Sequence, residues 1–267
     1  MRNALAIARK ELSIYFTTPW AYLVFTGMLV VSSFFFVASL ESFKQVQQMA
    51  RAMSWARLPQ DWAMYKNLTD GVVVPLWRVV MIVTLFVAPF LSMRLFAEEK
   101  RHQTFELLMT APVRPMEIVL GKYLGGLGVI SATLGLTIVF PAVLAIFGRS
   151  ESGSALEWST VLLGYLGLLL WGATCMAIGM FISALTESQA LAACLTFVVL
   201  LPWMLLTGLA QSAEEPLRSV INYLSFDAQL QDMTKGVLDL KAIVFFASVI
   251  LFSVFLTQRA VEAHRWA

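Results

Sequence analysis

The sequence predicts an all-α, multi-pass membrane protein: six spanning helices, an amphipathic helix ahead of the first, and a short polar helical segment between the second and third. Three observations carry this. Of the 267 residues, 59% are hydrophobic and only 13% charged, whereas soluble domains carry about 25% charged residues. The apolar residues gather in six runs, each long enough to cross about 30 Å of hydrocarbon at about 1.5 Å per residue. Residues 94–117 break that pattern with a cluster of charges that does not belong in lipid.

Residues 1–18 set Leu5, Leu12, Tyr15 and Phe16 against Arg2, Arg9, Lys10 and Glu11, the pattern of a helix lying on a membrane surface. A charged start before an apolar run has the outline of a signal peptide. The run is too long for a signal core and lacks a small-x-small cleavage site, so 19–40 is read as an uncleaved spanning helix. The connecting segment 41–71 interleaves Met49, Met53, Trp55, Trp62 and Tyr65 with Arg51, Arg57 and Lys66. It reads as a helix at headgroup level, with a partner-binding surface as the alternative. The second span is 72–93. Its Arg78 is close enough to one interface to snorkel, with a cation facing a substrate path as the alternative.

The third span, 118–147, includes Gly121-Lys122-Tyr123-Leu124-Gly125, and the fourth, 158–185, repeats the small-residue spacing with Cys175, Gly179 and Ser183. Both mark close helix packing within the bundle. Between them, Gly148 to Ser154 has the glycine spacing of a phosphate loop, but serine stands where lysine is required and no strand precedes it. Thr186 to Ser188 is a short turn into the fifth span, 188–211, with Glu187 read as a helix cap or a partner contact. Pro202 predicts a kink about one turn earlier, and Pro202 and Trp203 are candidate gate residues. Pro216, Leu217, Val220, Ile221 and Leu224 are helically spaced within 212–239. The last span is 240–258, followed by a basic tail with Trp266.

The polar segment has its own punctuation. The residue before a proline is pushed out of the helical region, so a first helix is expected to stop near Thr110, ahead of Pro112. Arg114-Pro115 then opens a second helix, because proline needs no amide donor in a first turn, and Glu117 follows where the helix dipole favours an acid.

Glu98-Glu99-Lys100, Thr104, Glu106-Leu107-Leu108, Thr110-Ala111-Pro112 and Gly121-Lys122 follow one another as they do in the cytoplasmic coupling loop of ABC-2 type ABC-transporter permeases, which this segment resembles. Ala8-Arg9-Lys10-Glu11-Leu12, Gly236-Val237-Leu238-Asp239 and Glu262-Ala263-His264-Arg265-Trp266 extend the likeness over nearly the whole chain, which within that superfamily looks like the gliding-motility-associated permeases.

The resemblance implies a single transmembrane domain, 1–267, driven by an ABC ATPase subunit and paired with a second copy or a related permease. It sets the polar segment and both termini in the cytoplasm of a bacterial inner membrane; charge alone leaves the orientation nearly balanced. ATP and magnesium would sit on the ATPase, with no cofactor on this chain. Glu98, Glu99, Arg101, Thr104, Phe105, Glu106, Leu107, Leu108, Thr110, Pro112, Glu117 and Lys122 would form the coupling site. Residues 212–239 would hold re-entrant or interfacial helices gating the outer end, and a periplasmic accessory protein could dock on 41–71. The implied activity is export; the alternatives are a mechanical component of an envelope or motility assembly and an aid to copper-enzyme maturation.

Other classes find little support. A net charge of +2 and the lack of an aromatic-basic module speak against nucleic acid. Cys175 and Cys194 have no Cys-x-x-Cys spacing, and His102 and His264 lie far apart, so neither a metal site nor a catalytic dyad is indicated. No paired carboxylates fall at membrane depth to support catalysis or ion coupling.

Overall fold

The computed structural model describes residues 2–53, 65, 67–106, 113–148, 156–212 and 214–266. These residues form helices and turns, with no strand among them, and six of the helical stretches are long and apolar enough to cross a membrane. In order, the helices are α1 (Arg2–Thr17), α2 (Pro19–Met53), α3 (Val74–Ser92), α4 (Ala97–Arg101), α5 (Pro115–Thr137), α6 (Val139–Phe147), α7 (Trp158–Leu185), α8 (Gln189–Ser212), α9 (Leu217–Leu224), α10 (Phe226–Thr234) and α11 (Leu240–Trp266). A π-helical turn, Thr69–Val73, leads into α3.

Helix α7 is the axis of the bundle, packed against α3, α5, α8, α10 and α11. Every residue from Trp171 to Met180 is buried, as expected of a helix with no polar face. Small residues let its neighbours approach: a Cβ added at Gly172 would fall 2.6 Å from Ile130 of α5, and one at Gly167 would fall 2.8 Å from Leu230 of α10. Indole and phenol groups then bond across helices, Trp171 Nε1 to the Met81 carbonyl at 3.2 Å and the Tyr123 hydroxyl to the Ala173 carbonyl at 3.1 Å.

Three elements differ from the sequence expectation. Helix α2 does not stop at residue 40; it runs through Met53, with Val46 and Ala50 buried. Glu41 to Met53 therefore continues the same helix, because its residues are good helix formers that still find an apolar contact; Trp55 and Trp62 lie outside the described residues. The helix expected up to Thr110 is interrupted after Arg101 and resumes at Phe105 and Glu106, with Thr110 itself outside the described residues. His102 caps α4, Gln103 takes a positive φ of 56°, and the Gln103 and Thr104 amides bond back to the Lys100 and Glu99 carbonyls. That is a Schellman ending with glutamine where glycine is usual. Helix α11 runs through to Trp266 rather than ending near 258.

Residues 217–234 fold as two short helices, of which α9 has no buried residue and α10 packs into the bundle through Phe226, Leu230 and Met233. At the hairpin tip between them Phe226 is fully buried among Trp171, Trp203, Phe245 and Phe246, with ring centroids 4.7 to 5.7 Å apart. From there α10 runs back along α7 until Gly236, at φ +80°, abuts Thr160. About 16 Å of helix rise separates Thr160 from Trp171, the length over which α10 follows α7 from the hairpin tip.

Candidate functional site

The polar segment is built onto the end of the bundle where α1, the start of α5 and the end of α7 converge. Pro115 opens α5 with Arg114 extended in front of it, and the Arg114 amide reaches the Glu117 carboxylate at 3.5 Å. Asn3 of α1 donates to the same carboxylate at 3.1 Å. Helix α1 lies along α5 in a groove made by missing side chains: a Cβ at Gly121 would fall 2.7 Å from Ile7, one at Gly125 2.6 Å from Glu11, and one at Gly128 2.8 Å from Leu12. The face α1 buries is Ala4, Ala8, Glu11 and Tyr15, while Leu5, Ile14 and Phe16 stay exposed, suiting a helix that also meets lipid.

Lys122 holds the centre. Its side chain is 2% exposed, and Nζ stands 2.9 Å from Glu11 Oε1 of α1 and 2.8 Å from Glu99 Oε1 of α4, 5.3 Å above the Phe96 ring. One cation between two carboxylates leaves an excess negative charge, and Glu99 Oε2 is buried with no hydrogen-bond partner among the described residues. Alongside, Arg94 pairs with Glu98 at 2.8 Å and lies 6.0 Å over the Tyr15 ring. The Tyr15 hydroxyl donates to the Leu91 carbonyl at 2.6 Å; burial raises its pKa well above the ordinary tyrosine range, so it remains a donor.

The bend between α3 and α4 is pinned by one hydroxyl. Ser183 Oγ of α7 accepts from the Phe96 and Ala97 amides, both at 3.1 Å, and donates to the Met93 carbonyl at 3.0 Å. Lys100 of α4 donates to the Ala184 carbonyl. Helix α4 is thus tied to α7 by hydrogen bonds and to α5 and α1 by charge. A push on α4 has two routes into the bundle.

Residues 5–261 match the family described as ABC-2 family transporter protein. The chain belongs to that family. It is a membrane permease of an ABC transporter, the transmembrane component, and a multi-pass protein. No curated protein matches it.

The permease brings some of the sequence-predicted residues together and separates others. Glu99 and Lys122 meet in the charge cluster, with Glu98 beside it, and Glu117 ties α5 to α1. Arg101, Thr104 and Glu106 are exposed, and Phe105 is buried against Phe96 at 6.3 Å between ring centroids. Leu107, Leu108, Thr110 and Pro112 lie outside the described residues.

Arg78 is exposed at the rim of a crevice shared with Asp227, Gln231 and Thr234 of α10. Pro202 lies inside α8 facing outward, and Trp203 Nε1 donates to the Leu224 carbonyl at 2.8 Å, holding the hairpin. Sequence reasoning missed Glu11, Arg94 and Tyr15. Glu11 falls beside Arg9 and Lys10 in the sequence, so only its position over Gly125 reveals that it points inward.

Proposed function

We propose that this permease is the membrane half of an exporter in the bacterial inner membrane, worked by a separate ABC ATPase that docks on the α4 side. That side then faces the cytoplasm with both termini, and ATP and magnesium are held by the partner. Glu98 and Glu106, with Leu107 and Leu108, form the contact surface; Phe105, buried against Phe96, braces it from within. A second permease subunit completes the assembly. The observation that carries the reading is the Lys122 cluster, which joins the coupling helix to α5 and α1 through Glu99 and Glu11 at 2.8 and 2.9 Å. Displacement of α4 by nucleotide-driven closure is passed to the third span and to the surface helix together, and the hairpin of α9 and α10 acts as the gate at the far end.

The test is gentle purification of the tagged permease from its own membrane, with identification of what accompanies it. A stoichiometric P-loop ATPase is expected, lost in Glu106→Lys, a substitution at an exposed site that leaves the bundle folded. Absence of an ATPase under every gentle condition would overturn the reading. Retention of full ATPase stimulation in Glu106→Lys would remove Glu106 from the contact.

A further inference from the structure

Arg2, Leu5, Arg9, Leu12 and Phe16 follow one another at alternate steps of three and four residues, so they form one stripe along α1. It is not the stripe that packs. Ala4, Ala8, Glu11 and Tyr15 face the bundle, while Leu5 and Phe16 are 64% and 40% exposed and both arginines are exposed. Neither arginine makes an ion pair among the described residues. The single acid of α1, Glu11, is turned inward to Lys122. The stripe therefore carries two cations, three apolar side chains and no anion. At its end the Phe16 ring lies 5.7 Å from that of Phe25 in α2, a membrane-spanning helix by length and composition on which Tyr22 and Leu23 are exposed in turn. The exposed apolar surface of α1 thus continues into that of a span.

We propose that this stripe is a binding surface for anionic phospholipid headgroups of the adjoining leaflet. Leu5, Leu12 and Phe16 enter the acyl boundary, and Arg2 and Arg9, about 10 Å apart along the helix, extend to phosphate depth on their aliphatic stems. Headgroup charge matters because each arginine near an anionic surface adds an attraction that a zwitterionic surface lacks, and no carboxylate on the stripe offsets it. Helix α1 is a lever as well as an anchor, since its inward face carries Glu11 to Lys122 at 2.9 Å. Seating on anionic lipid holds the Lys122 cluster together, and loss of that seating loosens it. The seating rests on α1 alone; its bearing on coupling rests on the function proposed above.

The full-length permease without any ATPase reads the seating. Cys175 is buried and Cys194 exposed, so Leu5→Cys in a Cys194→Ser background takes one nitroxide on the stripe. Its collision rates with oxygen, which concentrates in lipid, and with a water-soluble nickel chelate report immersion. Nanodiscs rich in phosphatidylglycerol should give an oxygen-to-nickel ratio several-fold above that in phosphatidylcholine alone, and high salt should shrink the difference. Arg2→Gln with Arg9→Gln should erase it, whereas Arg259→Gln, which removes an exposed cation elsewhere, should leave it. Equal ratios in the two lipids, a difference that survives the double substitution, or a label shielded from both reagents in both lipids, which would show protein covering the stripe, would each overturn the proposal. For the lever, apparent melting temperature should rise by several degrees with phosphatidylglycerol in the wild type and by less in Glu11→Gln, where α1 still seats. An equal rise in both would sever lipid seating from the Lys122 cluster.

Discussion

Lys122 and Glu11 stand 111 residues apart in the chain and 2.9 Å apart in space. The pair is buried, and a buried pair broken from one side costs far more than the pair is worth whole. Lys122→Met would leave Glu11 and Glu99 facing each other across an apolar gap, a loss of about 3–5 kcal/mol. The triple variant Glu11→Gln, Glu99→Gln, Lys122→Met removes all three charges and should recover most of that loss. Apparent melting temperature in detergent, followed by size exclusion, checks both; a triple variant no better than the single would show that charge is not what holds the cluster.

The glycine groove predicts a graded result along one helix. Gly121→Leu or Gly125→Leu must displace α1, since even a Cβ would fall under 3 Å from Ile7 or Glu11. Gly135 has nothing within 4 Å of its added Cβ, so Gly135→Leu should leave α1 seated. Limited proteolysis between α1 and α2 distinguishes them: rapid cleavage for the first two, wild-type resistance for the third.

Two substitutions should act oppositely on α4. Ser183→Ala strips three hydrogen bonds from the bend, leaving buried amides unpaired at about 1–3 kcal/mol each for whatever water does not replace, and hydrogen exchange of the Phe96 and Ala97 amides should quicken. Gln103→Gly relieves a left-handed backbone at φ 56° and should stabilise the helix ending by about 1 kcal/mol. Loss of ATPase stimulation in the first and its retention in the second is the expected functional pattern.

Phe226→Ala would empty the site at the hairpin tip, where four aromatic rings meet one phenyl group. The cost is about 3–5 kcal/mol, in the range of buried phenylalanine truncations. The hairpin should then open to solvent, which cysteine accessibility at residue 230, substituted for Leu230, would register as a gain of labelling.

Burial holds the Tyr15 phenol neutral beyond the ordinary tyrosine value, and Glu11 adds in the same direction. A raised pKa stabilises the fold fully below about pH 10, where an unfolded tyrosine is still protonated, and loses that stabilisation as pH climbs above it. Ultraviolet titration should therefore show Tyr15 silent in the folded protein above pH 10, and Tyr15→Phe should flatten the alkaline decline in stability.

The six spans were legible because lipid imposes a length and a composition that few other pressures imitate: apolar runs of sufficient length declare themselves without knowledge of their neighbours. The interruption after Arg101 was missed because Pro112 was the only stop signal weighed, whereas a glutamine in a left-handed cap ends α4 there and helix resumes only at Phe105; Thr110 and Pro112 lie outside the described residues. Glu99 and Lys122 were both named from the coupling-loop resemblance, yet nothing in the sequence says that they meet, or that Glu11 joins them.

The sequence by itself determined the class of protein, the presence of six apolar spans, the polar helical segment between two of them and the helix that begins with Pro115, since composition and local backbone preference act residue by residue. Tertiary structure decided which face of α1 turns inward, that Ser183 pins the bend into α4, and that Phe226 descends to the centre of the bundle. Those outcomes depend on which backbones approach closely enough for a missing side chain to be filled by a neighbour, and on where a charge finds its partner once water is gone. Both are properties of helices packed together, and no single stretch of chain contains them.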